Sequence, residues 1–444
     1  MAQVQGAQNE IRQTQVRRAA IASTIGTAIE WYDYFLYGTA AALVFPKLFF
    51  PNSDPFIGQL QSFATMFLGF VARPVGAAIF GHYGDRLGRK ATLIITLLLM
   101  GLSSAAMGIL PTYAAIGVWA PVILIILRIL QGIGVGGEWG GSVLLSMEWG
   151  HHQRRGLMGS WPQLGVPLGL LFSSLFTSIF IAISGSGFNT WGWRIPFLLS
   201  LVMVLIGLFI RLRVMETPHF QEVVQRQKVV KVPVIEAIKS HPKEIVLSAL
   251  VRMAEQAPFY LFITFILSYG STYMHYNKGF LTNATTVAAV LSLFTVPFAG
   301  YLSDRIGRRK MYAIGAVLVL LYAYPYFWLV NTGVAALAFI AIVISLIPHD
   351  FLYGPQAALI AENFPSHLRY SGASLGYQLA SVIAGGPAPL IATWLMHKYG
   401  SSSAISAYII FNAVVTLIAL AFLKGRSEDE IVREYRSAES HVQA

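Results

Sequence analysis

Runs of about 20 mostly apolar residues recur along the whole chain, and this return of membrane-length segments limits the fold more than any single motif does. In hydrocarbon a polypeptide has to satisfy its backbone groups internally, which leaves helices as the reading for segments of this length. Composition agrees: of 444 residues, 55% are hydrophobic and 11% charged, against roughly 25% charged in an ordinary soluble domain. Hydropathy and turn residues place helices near 19–45, 57–81, 91–111, 117–148, 156–184 and 192–213, then near 244–275, 280–303, 310–331, 333–362, 367–396 and 402–423. The expectation is an all-α membrane protein of about twelve transmembrane helices. Residues 1–213 would form an N-terminal six-helix bundle, 214–243 a connector with amphipathic interfacial helices, and 244–444 a C-terminal six-helix bundle with a short charged tail. The apolar run behind Arg17 and Arg18 is too long, and too interrupted by Glu30 and Asp33, for a cleavable leader; it reads as the first membrane helix.

A formal charge of +11 invites a nucleic-acid reading until the basic residues are located. Arg12, Arg17 and Arg18, then Arg86, Arg89 and Lys90, then Arg154 and Arg155, the 214–243 connector, Arg305, Arg308, Arg309 and Lys310, and finally Lys424, Arg426, Arg433 and Arg436 fall in one alternate set of loops and ends. The opposite loops hold little beyond Lys47, Lys278 and Lys398. This is the positive-inside pattern, so both termini are expected on the cytoplasmic side of a cell inner membrane, and the basic excess belongs to topology and not to a nucleic acid. The absence of cysteine removes a disulfide scaffold, a thiol nucleophile and the usual zinc sites.

The chain also repeats itself. Gly81-His-Tyr-Gly-Asp85-Arg86-Leu-Gly88-Arg89-Lys90 returns as Gly300-Tyr-Leu-Ser-Asp304-Arg305-Ile-Gly307-Arg308-Arg309-Lys310, and the region of Glu148 and Arg155 returns around Glu362 and Arg369. The offset is about 215 residues, half the chain, as expected for two parallel repeats related by an axis along the membrane normal. Within the motif, Gly81 and Gly300 would allow close helix packing and Gly88 and Gly307 a tight turn.

Ionisable residues inside the apolar spans carry the next layer of information, because each is costly unless paired or facing water. They are Glu30 and Asp33 in helix one, Arg73 in helix two, Arg128 and Glu138 in helix four, Arg252 and Glu255 in helix seven, and Asp350 in helix ten, with His349 beside it. Helix rise puts Glu30 near the depth of Arg73 and Asp33 near that of Arg128, so two ion pairs are expected there. Arg252 and Glu255 lie one turn apart on one face. Glycine density from Gly132 to Gly141 would let a neighbouring helix approach helix four closely, and Gly165, Pro167 and Gly169 would bend helix five.

The repeated G-x-x-x-D-R-x-G-R-[RK] loop resembles the signature of the major facilitator superfamily. Glu30-Trp31-Tyr32-Asp33-Tyr34-Phe35-Leu36-Tyr37-Gly38, Arg73-Pro74-Val75-Gly76, Gly136-Gly137-Glu138-Trp139-Gly140-Gly141 and Trp191-Gly192-Trp193-Arg194-Ile195-Pro196-Phe197 make the chain similar to its metabolite:H+ symporter family over nearly its whole length. Within that family, His349-Asp350, Arg369-Tyr370-Ser371-Gly372-Ala373 and Gly376-Tyr377-Gln378 resemble the shikimate-type members, while helix seven departs from them at Gln256-Ala257-Pro258. The resemblance implies a latch on the cytoplasmic side made by Asp85, Arg86, Arg89, Asp304, Arg305, Arg308, Glu148 and Glu362.

The function expected is proton-coupled import of a small organic acid by alternating access, with protons as the coupling ion, no other cofactor, no metal, and a monomer in the lipid bilayer. Asp33 and Glu30 are the leading proton carriers, with Glu138, Glu255 and Asp350 behind them. Arg128 or Arg252 would take the carboxylate through a bidentate fork. Tyr34, Tyr37, Trp139, Gln163, Tyr260, Tyr377 and Gln378 would supply hydroxyl contacts and aromatic walls. A zwitterion symporter or a proton-independent uniporter of the same fold are the rivals. A channel would call for repeated rings of like charge and an enzyme for a framed catalytic set; neither is visible in the sequence, and no enzymatic activity is expected.

Overall fold

The computed structural model describes residues 2–87, 89–136, 155–213, 233–365 and 368–423. Helices account for nearly all of these, and among the described residues nine are long and apolar enough to cross a membrane. Two shorter apolar helices, Ile94–Ile109 and Arg194–Ile210, together with α1 (Ala2–Leu43), supply the remaining crossings. The first half continues with α2 (Pro55–Leu87), α3 (Arg89–Ile109), α4 (Trp119–Gly136), α5 (Arg155–Gln163), α6 (Gly165–Ser184) and α7 (Ser200–Arg213). After the connector helix α8 (Pro233–Ser240), the second half runs through α9 (Pro242–Val251), α10 (Met253–Tyr260), α11 (Ile266–Thr272), α12 (Lys278–Ile306), α13 (Arg308–Val330), α14 (Ala335–Ile344), α15 (Leu346–Ala361), α16 (Arg369–Ala380), α17 (Ala388–Tyr399) and α18 (Ser403–Phe422).

Within the first half α1 packs on α6, and α2 and α3 on α4; within the second, α12 and α13 pack on α15, and α9 on α16. The halves meet along two seams, α5 and α6 against α12 and α15, and α2 against α16 and α17. Large apolar side chains such as Phe294, Phe298, Leu321, Trp328, Leu205, Phe209, Phe411 and Phe422 are more than half exposed on the outer surface. So much apolar surface is stable only against lipid.

Several of the expected helices turn out differently. Helical backbone begins at Ala2, well ahead of residue 19. The fifth crossing is interrupted at Leu164, where α5 hands over to α6; a Cβ on Gly165 or Gly169 would collide with Thr27 or Trp31, so these glycines bring α6 against α1. The seventh crossing breaks at Arg252 and widens into a π turn at Leu261–Phe265 just after Pro258, a residue with no N–H for the helix ladder. A second π turn, Ser381–Gly385, precedes Pro387.

The glycines of the fourth helix act as their density suggested. A Cβ on Gly132 would run into the carbonyl oxygen of Gly69, one on Gly136 into that of Arg73, and one on Gly76 into that of Ile133. The α2–α4 crossing is therefore backbone on backbone, and it lifts Arg73 and Arg128 to the same region of the interior. The Trp191–Phe197 segment is structural: Arg194 Nη1 donates to the carbonyls of Gly108 and Leu110 at 2.9 and 2.7 Å, capping the end of α3, while Trp193 packs on Phe45, Phe49 and Phe197. In α8, Glu236 sits in the first turn and Lys239 in the last, each matching the helix dipole.

Gly132→Ala should force α2 and α4 apart and cost about 1–3 kcal/mol of stability, the usual range for overpacking. A thermal-unfolding midpoint in detergent that matched the unsubstituted protein would show that the helices do not meet there.

Candidate functional site

Four positively charged or acidic groups meet in the first half, but not as the ion pairs that depth alone suggested. Arg128, fully buried on α4, donates through Nη1 to Gln131 Oε1, and its guanidinium carbon lies 4.2 Å from the ring centroid of Tyr34 and 4.1 Å from that of Tyr37. Gln131 in turn donates to Ser104 Oγ at 2.7 Å and to the Asp33 carbonyl at 3.3 Å. The Asp33 carboxylate is turned the other way, accepting from Ser200 at the start of α7, and its Oδ2 has no hydrogen-bond partner. The expected Asp33–Arg128 pair is thus not made: Gln131 stands between them, accepting from Arg128 and donating to the Asp33 carbonyl.

Arg73 corrects the second pair. Its guanidinium lies over Trp31 at 5.2 Å, Tyr34 at 4.2 Å and Phe70 at 4.6 Å, and among the described residues no ion pair to Glu30, itself buried, is seen. Nε and Nη2 of both Arg73 and Arg128 lack hydrogen-bond partners, as does the Tyr34 hydroxyl. Two buried cations held by aromatic faces, with N–H groups unspent, form a place for an anion. Tyr37, by contrast, uses its hydroxyl on Thr65 Oγ1 at 2.6 Å.

The second half is built on the opposite principle. Arg252 is closed against Glu255 at 3.0 Å, stacks on the Tyr377 ring at 3.4 Å and donates to the Tyr377 carbonyl. Glu255 also accepts from Gln256 Nε2 at 2.8 and 3.0 Å and from Gln356 Nε2 at 2.8 Å. His349 lies between carboxylates, with Nε2 3.5 Å from Glu255 and Nδ1 2.9 Å from Asp350. Asp350 accepts further from Ser292 at 2.7 Å and from Thr295. Arg252 is therefore paired with a carboxylate, unlike Arg73 and Arg128, although its Nε also has no hydrogen-bond partner.

Between the halves lies a cavity of about 10 Å³, room for one water at most, lined by Trp31, Val166, Glu255, Gln256, Phe259, Tyr260, His349, Tyr353 and Tyr377. Of the residues singled out in the sequence as proton carriers or substrate contacts, Glu255, Tyr260 and Tyr377 reach it. Gln163 and Gln378 instead tie the halves together, donating to the carbonyls of Tyr353 at 3.2 Å and Gly136 at 3.5 Å. Gln256, Phe259, His349 and Tyr353 escaped the sequence reading of the site. Helical spacing held the signal, since Phe259 stands one turn beyond Glu255 and Tyr353 one turn beyond His349, on the same faces.

Beyond the cavity both ends are bridged. At the basic end, Asp304 accepts from the Gly156 and Leu157 amides at 2.8 and 3.0 Å, a carboxylate placed on the N-terminus of α5. Arg308 joins Asp304 at 3.5 Å and Glu362 at 2.6 Å, and Arg155 reaches Glu362 at 3.6 Å, so the latch spans both halves. Gly300 permits this approach, as a Cβ there would press on the Gly156 carbonyl, and Gly307 turns the chain at φ 96°. Among the described residues Arg305 makes no ion pair; it is exposed and packs over Tyr301 at 4.7 Å. The side chains of Asp85, Arg86 and Arg89, and residues Glu138, Trp139 and Glu148, lie outside the described residues. At the far end Lys278 donates to the Leu43 carbonyl at 3.0 Å, and Ser178 and Ser174 face Thr282 and Thr285 at 2.7 and 3.4 Å.

Residues 19–434 match the family model described as "Sugar (and other) transporter". Over 91% of its length the chain is 40% identical to the inner membrane metabolite transport protein YhjE of Escherichia coli K12, covering 93% of that protein. It is 38% identical to the shikimate transporter of the same organism, over 93% and 95% of the two chains. It is 32% identical to that organism's proline/betaine transporter, over 92% and 84%. A proton:xylose symporter, XylE, solved with 6-bromo-6-deoxy-D-glucose, shares the fold at a TM-score of 0.72 and 18% identity over 93% of this chain and 96% of that one. The chain belongs to the sugar (and other) transporter family and has the major facilitator fold. It is a multi-pass membrane transporter and not an enzyme.

Asp304→Ala removes the acceptor of two backbone amides and a partner of Arg308, so the basic end should open more often. Because the chain has no cysteine of its own, a cysteine replacing the buried Ser160 reports directly on this seam. Its alkylation should be several-fold faster in the Asp304→Ala background, and an equal rate would remove the latch role.

Proposed function

We propose that the protein is a proton-coupled symporter that imports a small organic acid across the inner membrane by alternating access, with both termini on the cytoplasmic side. The observation that carries this reading is the pair of buried guanidinium groups over Tyr34 with unspent N–H donors. A carboxylate supplies the charge and the acceptors these groups lack, and a fork accepts it in two parallel bonds. Arg128 is the primary contact and Arg73 the second. Arg252, already bound to Glu255, is the weaker candidate.

Asp33 is the coupling carboxylate in this reading. It is fully buried, holds one hydroxyl bond from Ser200 and leaves Oδ2 without a partner, so its ionised form is poorly supported inside a closed bundle. Protonation removes that cost and lets the bundles close around a loaded site. Opening of the Asp304–Arg308–Glu362–Arg155 latch then releases substrate and proton on the basic side. A monoanion moving with one proton carries no net charge; each further proton adds about 2.3 kcal/mol per 100 mV of drive.

A second reading, transport of a zwitterion, is favoured by the aromatic lining of the cavity. Trp31, Phe259, Tyr260, Tyr353 and Tyr377 stand near Glu255, and such walls suit a quaternary ammonium. A thermal-shift screen of carboxylates, betaines and polyols at two pH values separates the two, because a bound ligand stabilises in proportion to occupancy. Carboxylates are expected to raise the midpoint and betaines not; the reverse would favour the zwitterion.

In proteoliposomes Asp33→Asn should abolish gradient-driven accumulation while sparing exchange, and a protonophore should do the same to the unsubstituted protein. Intact uphill uptake in the variant would falsify the coupling assignment. Arg128→Lys should raise the half-saturation concentration for the carboxylate about tenfold, equivalent to about 1.4 kcal/mol of lost binding, because a point charge cannot replace the fork.

A further inference from the structure

His349 is, among the described residues, the one histidine that faces a carboxylate from each of its two ring nitrogens: Asp350 at 2.9 Å from Nδ1 and Glu255 at 3.5 Å from Nε2. The donors already on those carboxylates fix their state. Glu255 accepts from the N–H groups of Arg252, Gln256 and Gln356, none of which can accept in return, so it stands as an anion. Asp350 takes hydroxyl bonds from Ser292 and Thr295 on its other oxygen. A neutral imidazole has one N–H and one lone pair, and with both carboxylates ionised the lone pair is aimed at a carboxylate oxygen whichever tautomer forms. Between two carboxylates, the doubly protonated ring is the form that donates to both sides.

Charge leads to the same state. Arg252 contributes +1, Glu255 and Asp350 −1 each, so the cluster sums to −1 with a neutral ring and to zero with an imidazolium. Every member is at most 3% exposed, in a setting where net charge is costly. Among the described residues the groups in direct contact with the cluster add no charge, and the next cation is Arg73 of the first half, on the far side of Tyr260 and Tyr377. Tyr312 comes from α13, Tyr353 from α15, Tyr377 from α16, Ser292 and Thr295 from α12, and Phe259 covers the ring at 4.6 Å between centroids. Toward the first half the ring borders the central cavity, with Trp31 and Val166 across it.

We propose that His349 is a proton-carrying site of the C-terminal half, separate from Asp33. Its proton is held between Glu255 and Asp350 while the transporter is closed and is exchanged with the cavity it lines. Losing the proton leaves a net negative charge beside Arg252, which disfavours the closed arrangement until a proton returns. As a site for the coupling ion it rests on the proton-coupled reading above, and it adds a second proton-binding group to the cycle.

Two measurements need no substrate. In full-length protein labelled with nitrogen-15 histidine, one of the 10 histidines should show both ring nitrogens protonated at neutral pH and above, and that signal should vanish in His349→Asn. A neutral tautomer for His349 at neutral pH overturns the proposal. If His349→Asn does not fold, Glu255→Gln keeps the shape and removes one flanking charge; part of the imidazolium signal should then give way to the neutral form, and no change overturns the proposal.

The second measurement is charge displaced by a pH jump on reconstituted protein adsorbed to a solid-supported membrane. His349→Asn should lower it to about half, Asp33→Asn to about half, and the double variant close to nothing, if each group takes one proton across part of the membrane field. An unchanged displacement in His349→Asn refutes this site alone. An unchanged displacement in Asp33→Asn with a loss in His349→Asn refutes the Asp33 assignment and leaves His349 standing.

Discussion

A charge in the middle of a bilayer costs at least about 2.5–3.5 kcal/mol on insertion scales, and the interior of this transporter is organised by how each half meets that cost. In the C-terminal half Arg252 is met by Glu255, and both are sealed by amide and aromatic partners. In the N-terminal half, among the described residues, Arg73 and Arg128 are met by ring faces and one glutamine, which leave Nε and Nη2 of each without a partner. The two halves share a fold and a loop motif, yet they present opposite chemistry to the centre.

The site depends on backbone contact far more than on side-chain packing alone. Arg73 and Arg128 are brought together because Gly69, Gly76, Gly132 and Gly136 let α2 and α4 touch at their main chains. Close approach recurs at the basic end, where Gly156 and Gly300 allow the Asp304 carboxylate to reach two amides of α5. Such contacts hold without side-chain entropy and separate as rigid surfaces, which suits a transition in which whole bundles rock. The π turns in the seventh and eleventh crossings sit next to this moving centre, near Tyr260 and Gln256.

Much of this was legible in the chain itself. Span lengths, the one-sided basic loops and the duplicated loop motif were enough for the membrane-helix architecture, and glycine spacing anticipated the α2–α4 contact. The Arg252–Glu255 pair followed from three-residue spacing alone. What failed were inferences from depth: Asp33 with Arg128, and Glu30 with Arg73. Rise per residue gives height in the membrane but not the azimuth at which a side chain leaves its helix, nor what intervenes. Arg305 packs over Tyr301 instead of joining the Arg308 cluster, since adjacent residues in a loop motif can face different ways.

The sequence by itself determined that this chain lives in a bilayer, that it is doubled, and that charged residues lie within its spans, because those properties are carried by composition and period along one dimension. Only the tertiary structure decided which of those charges are spent on one another and which remain available. That depends on helices distant in the chain, such as α1 with α7 at Asp33 and Ser200, and α10 with α15 at Glu255 and His349. Hydrogen bonds need contact within a few ångströms, so pairing between helices is settled by helix rotation and contact, which spacing within one helix does not encode.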